Sequence, residues 1–124
     1  MKDKLSDKRA QNAIQMKKSI ELLNRNGIIC RHFTWVKPGE LGSRTRTEIY
    51  MGVETDDYYC AVMTVRRKSK IMGKEAKELM RLHARLEALK GTKISRRYLL
   101  LFAPICSKAY SLLQDEGWLI IKGK

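Results

Sequence analysis

Residues 58–90 read YYCAVMTVRRKSKIMGKEAKELMRLHARLEALK, and this stretch decides the fold. Tyr58 to Val65 is apolar on both faces, the pattern of a central strand covered on two sides. It runs straight into Arg66-Arg67-Lys68-Ser69-Lys70, the densest cationic stretch of the chain. After Gly73, Ala76, Leu79, Leu82, Leu86 and Leu89 recur at intervals of three and four, which predicts an amphipathic helix over about residues 74–90 with Gly91 placed to end it. A strand feeding a helix implies a crossover, and a crossover implies a parallel partner strand.

That partner comes next. Tyr98 to Ala103 is a second wholly apolar run, closed by Pro104. Ser107 is placed to cap a short helix ending near Gly117, and Trp118 to Ile121 makes a last strand. Working back from residue 58, Glu54-Thr55-Asp56-Asp57 is a tight polar turn and Thr47 to Val53 a strand. Lys37 to Arg46, with Pro38, Gly39 and Gly42, is a polar connection, and Ile28 to Val36 is a β-rich run carrying Phe33 and Trp35. Ala13, Met16, Ile20 and Leu23 predict a helix over about residues 8–26, stopped by Asn26-Gly27. The order α-β-β-β-α-β-α-β predicts an α/β fold: a single mixed β-sheet flanked by helices, with hairpins joining the first three strands. The expected organisation is one domain over residues 1–124, with short basic tails at about 1–7 and 122–124.

Charge points to the partner. The chain carries 26 Lys+Arg against 13 Asp+Glu, a net charge of +13 on 124 residues. A field of that strength attracts polyanions over roughly 8–10 Å at ordinary salt, and nucleic acid is the commonest polyanion, its phosphates releasing counterions when neutralised. No run approaches the roughly 18 apolar residues of a membrane span, and the charged start Met1-Lys2-Asp3-Lys4 has no apolar segment behind it. Cys30, Cys60 and Cys106 are odd in number and scattered among apolar segments, which fits buried free thiols rather than disulfides or a zinc site. An intracellular location follows, cytoplasmic or nucleoid-associated.

The element order, with a basic strand end before the long helix, resembles the PD-(D/E)xK restriction-endonuclease-like superfamily, in its archaeal Holliday-junction-resolvase and Mrr-like branch. The resemblance spans about residues 8–122. It implies a second-strand acid at Glu48, an acid-x-Lys motif at Thr64-Val65-Arg66 and a first-helix glutamate at Glu21, arranged around Mg²⁺. This chain departs from that motif twice. Thr64 offers a hydroxyl in place of a carboxylate, and Arg66 a guanidinium in place of an amine. Mg²⁺ favours anionic oxygen ligands, so losing one carboxylate and adding a permanent cation both weaken the site. Arginine grips phosphate in a bidentate fork but is a poor proton shuttle. A migrated carboxylate, Glu75 above all, with Glu78 and Glu54 as further candidates, is the alternative that would keep a metal at Glu48 and sustain catalysis. Acids on such a helix otherwise pair with neighbouring lysines, as Lys74 and Glu78 would at i,i+4.

The expected nucleic-acid-binding set is Arg44, Arg46, Arg66, Arg67, Lys68, Lys70 and Lys74, helped by backbone N–H groups where the long helix starts. Lys93, Arg96 and Arg97 belong to the other sheet end. His32 and His83 are isolated, and His83 between Leu79 and Leu86 borders the core. Phe33, Trp35, Tyr58 and Tyr59 fit core packing and strand anchoring better than base stacking. Gly39-Glu40-Leu41-Gly42 lacks the length and lysine of a phosphate loop. These residues suggest a catalytically degenerate nucleic-acid-binding protein needing no cofactor, with DNA favoured over RNA by the resemblance alone and a homodimer left open. Two rivals stand beside it: an active Mg²⁺-dependent endonuclease, and an assembly protein meeting an acidic protein partner.

Overall fold

Cys60 to Val65 are buried without exception, and this continuous run forms the middle of the sheet. The structure is a computed structural model that describes the backbone of residues 2–123 and the side chains of residues 13–123. Its elements are α1 (Lys2–Arg25), β1 (Cys30–Val36), a 3-10 turn (Pro38–Leu41), β2 (Glu48–Glu54), β3 (Tyr59–Arg66), α2 (Gly73–Lys90), β4 (Arg96–Phe102), α3 (Ser107–Asp115) and β5 (Trp118–Lys122). The five strands lie in the order β1-β2-β3-β4-β5. β1, β2 and β3 pair antiparallel through hairpins, while β3, β4 and β5 pair parallel through the crossover helices. The mixed sheet and the element order are those read from the sequence.

Alternation along each strand sends neighbouring side chains to opposite faces. Tyr50, Cys60, Val62, Tyr98 and Leu100 meet Leu23 of α1 on one face. Ile49, Ala61, Met63, Val65, Leu99 and Leu101 meet Leu79, Leu82 and Leu86 of α2 and Leu113 of α3 on the other. Both faces are dry, which is why these strands carry no polar alternation.

Several local expectations are corrected. α1 starts at Lys2 rather than near residue 8, so residues 2–7 are helical and not a tail. The polar connection holds a 3-10 turn that buries Leu41, whose carbonyl accepts a hydrogen bond from Arg85 at 3.0 Å. In α2 the buried set includes His83, while Leu89 is 46% exposed. The cap of α3 is the Cys106 sulfur, which accepts from the Ala109 N–H at 3.3 Å, and Ser107 is the first helical residue. Of the aromatics, Phe33 stacks on Tyr50 at 4.9 Å, whereas Tyr58 and Tyr59 are exposed.

The cysteines are free, but only Cys60 is fully buried, with Cys30 and Cys106 half-buried. The Cys30 and Cys60 sulfurs lie 3.1 Å apart although β2 runs between their strands. Gly52 makes this possible. A Cβ there would sit 3.2 Å from the Cys30 Cβ and 3.3 Å from both the Arg31 carbonyl and the Phe33 ring. Gly52→Ala is therefore expected to destabilise by about 1–3 kcal/mol through overpacking, measured by urea denaturation. An unchanged midpoint would show that the sheet has slack at this point.

His83 Nε2 lies 2.8 Å from the Ile94 carbonyl, so that nitrogen carries the hydrogen and donates it. Arg97 Nε, 3.4 Å from the same nitrogen, is then a neighbouring cation and no hydrogen-bond donor to it. Burial first, and Arg97 after the partly compensating carbonyl, hold the imidazole below its usual range. The folded state thus binds its proton less readily than the unfolded chain. The stability this contributes is whole above pH of about 6.5 and is lost as pH falls through the lowered folded value. Thermal melts should drop between about pH 7 and pH 5, and His83→Gln should flatten that drop. An identical pH slope in the variant would assign it to other groups.

Candidate nucleic-acid interface

Because β2 and β3 run antiparallel, the start of one lies beside the end of the other. Glu48 pairs in register with Thr64, and Arg66 projects from the same face two residues on. Arg66 Nε donates to Glu48 Oε2 at 2.9 Å, and the Tyr50 hydroxyl donates to Glu48 Oε1 at 2.8 Å. Burial, then the Glu48 hydrogen bond, hold the Tyr50 hydroxyl well above the usual phenol range, so it remains a donor. The Arg66 guanidinium also lies over the Phe102 ring, 4.2 Å from its centroid. Its Nη2 is buried and has no hydrogen-bond partner.

Thr64 is wholly buried, its hydroxyl 3.3 Å from that of Ser19 on α1. The position where the resembled motif has an acid is therefore sealed under the helix. Both Glu48 oxygens are already held, one by a cation. This donor set does not fit Mg²⁺, which is held through one or two free carboxylates besides its waters and substrate phosphates. Among the described residues no three His, Cys, Asp or Glu side chains are grouped to hold a metal ion.

Successive residues leave a strand on opposite faces, so Arg66 and Arg67 part company. Arg67 reaches Ser69 Oγ at 2.8 Å and Glu75 of α2 at 3.4 Å. Glu75 thus stands with Arg67 on the α2 side and does not join Glu48. Glu78 pairs with Arg81 at 2.8 Å, not with Lys74. Glu54 lies at the far end of β2, bound by Tyr98 at 2.8 Å and Arg96 at 2.9 Å.

An open cleft of about 510 Å³ runs between the β2 entry loop and the β3 exit, lined by Thr45, Arg46, Thr47, Arg66, Arg67 and Lys68. The loop is braced from within: Thr45 Oγ1 donates to Thr47 Oγ1 at 3.0 Å and accepts from the Thr47 N–H at 3.2 Å. Arg44 is exposed one residue outside this lining, as is Lys70 beyond Ser69. Lys74 borders a separate shallow cleft on α2 with Lys77 and Arg81. Glu21 lines another cleft, of about 430 Å³, which has Arg66 in its wall together with Lys18, Arg25, Phe102 and Lys122.

Tyr50, Ser19, Phe102 and the two threonines escaped the sequence reading. Period-two alternation on β2 was signal enough to place Tyr50 beside Glu48, but nothing in the sequence fixes the register that sets Phe102 opposite Arg66. Glu54, Asp56, Asp57, Glu87, Asp115 and Glu116 belong to turns and element ends at the opposite end of the strands. At the Arg66 end Glu48 and Glu75 are each paired with an arginine, and Arg46, Lys68 and Lys70 make no ion pair among the described residues.

No family model matches the chain, and no curated protein does. Solved structures do. A repair endonuclease from Pyrococcus abyssi superposes with a TM-score of 0.56 at 18% identity, covering 94% of this chain and 46% of that one. EndoMS in its apo form gives 0.57 at 19% identity, covering 88% of this chain and again 46% of the other. The chain spans less than half the length of either structure. What these superpositions establish, with the strand order and crossovers described above, is that the protein shares the mixed α/β fold of the Pyrococcus abyssi repair endonuclease and of EndoMS.

Proposed function

We propose that the protein binds nucleic acid, DNA in preference to RNA, by holding phosphates at the Arg66 end of the sheet, and that it does so without cutting. One observation carries the reading: Arg66, standing in the would-be metal site, locks Glu48 and lines an open cleft together with Arg46, Arg67 and Lys68. Guanidinium and ammonium groups on such a cleft hold phosphate oxygens in charge-assisted bonds. Thr47 adds a neutral donor. Contacts of this kind fix position on the backbone and read little sequence.

Binding on this account needs no Mg²⁺. Replacing EDTA by Mg²⁺ should not tighten duplex binding, and incubation with Mg²⁺ or Mn²⁺ should yield no cleavage above buffer. Metal-dependent cutting abolished by Glu48→Ala would overturn the reading in favour of an endonuclease, the activity named for the proteins that share the fold. Absence of any nucleic-acid binding at about 50 mM salt would favour an acidic protein partner instead.

A further inference from the structure

The second cleft beside Arg66 has a composition that the phosphate-holding site described above does not use. Lys18, Glu21, Leu22 and Arg25 follow one another at intervals of three, one and three, so they form a single stripe of α1. That stripe faces Phe102 and Gly123 at the ends of β4 and β5, with Lys122 beside them. The strand ends are tied here by the Gly123 N–H, which donates to the Leu101 carbonyl at 2.8 Å. Gly123 lies so close on the Phe102 ring that any Cβ there would overlap it. The floor of the cleft is thereby low and apolar, and its rim is cationic. Lys18 and Arg25 make no ion pair among the described residues, while the Lys122 ammonium is turned to the other face, over the Tyr110 ring of α3.

Arg66 lines both clefts. Its ring-stacked face is turned to Phe102 of the second, and its strand position borders the loop of the first. A polyanion lying in the first cleft and passing Arg66 therefore enters the second without leaving positive potential. We propose that the nucleic-acid backbone continues past Arg66 into this cleft, where Lys18 and Arg25 hold further phosphates. The proposal rests on the phosphate-holding reading of the first cleft and extends its footprint to the other side of the sheet, over α1. Glu21, the one acid on the stripe, then opposes binding.

The test is the salt dependence of duplex binding by the full chain, with circular dichroism to verify that each variant is folded. Lys18→Ala/Arg25→Ala should reduce the magnitude of the log–log slope by about 1.8, two contacts at about 0.9 each. Lys90→Ala/Lys93→Ala, at the far end of the sheet, should leave the slope unchanged and so control for net charge. Glu21→Gln should tighten binding by about two- to fivefold at low salt, the range of one exposed charge interaction. An unchanged slope in the Lys18/Arg25 variant, while Arg46→Ala/Lys68→Ala still weakens binding, would overturn the second track and leave the first standing. Equal slope losses in the Lys18/Arg25 variant and the remote pair would also overturn it, in favour of a diffuse field. No binding by the unaltered protein would remove both readings together.

Discussion

Arg46→Ala/Arg67→Ala/Lys68→Ala lowers the affinity for duplex DNA about a hundredfold at 0.15 M salt and reduces the magnitude of the log–log slope by about 2.7. The size follows from counterion release. Each phosphate contact contributes about 0.9 to the slope, which at 0.15 M is a factor of about five in affinity, and three contacts multiply. All three residues line the same cleft, and two of them, Arg46 and Lys68, make no ion pair among the described residues. Arg67 already reaches Glu75 at 3.4 Å, so removing it also leaves that carboxylate to repel phosphate. Fluorescence anisotropy across a salt series measures both numbers. A loss of affinity with the slope intact would mean that the variant had disturbed structure rather than removed phosphate contacts.

The second large effect is on stability. Leu100 is completely buried on the α1 face, in register with Thr64 and on the same face as Tyr50 and Leu23. Leu99 is equally buried on the α2 face. Leu→Ala at either position should cost about 2–5 kcal/mol, the transfer term plus the cavity left behind. Against a total stability of about 5–15 kcal/mol this is a large share, and chemical denaturation measures it. The two variants should differ in one respect. Leu100→Ala loosens the side on which Ser19, Thr64, Glu48 and Arg66 meet, and so should weaken DNA binding beyond the effect of Leu99→Ala. Equal binding by both folded variants would show that the site is held by the strand backbones alone.

Much of this architecture was legible because apolar runs and helical spacing are read directly from sequence. Cys60–Val65 and Tyr98–Leu101 could only be strands covered on both sides, and the intervening helix forced them parallel. The details that escaped depend on tertiary geometry. Cys106 caps α3 in place of Ser107 because the bridge between Ile71 and Ile105 fixes where the helix starts. Leu89 keeps the helical spacing of a core residue yet is exposed on the last turn of α2. At the candidate site, antiparallel pairing made the approach of Glu48 and Arg66 foreseeable from the hairpin. The separation of Glu75 from them was harder to see. Its nearness in sequence to Arg66 hides the fact that α2 packs on the face opposite Glu48. Likewise the cationic stripe of α1 gave no sign of its destination, because lysines at helical spacing look the same whether they face solvent or a cleft.

The most direct measurement is a crystal structure of the protein with a short duplex, grown with Mn²⁺ and examined for anomalous scattering. The expected map shows phosphate oxygens on Arg46 and Lys68 in the cleft, Glu48 still held by Arg66 and Tyr50, and no manganese peak beside that carboxylate. A manganese ion bound by Glu48, with Arg66 swung away from it, would contradict the account.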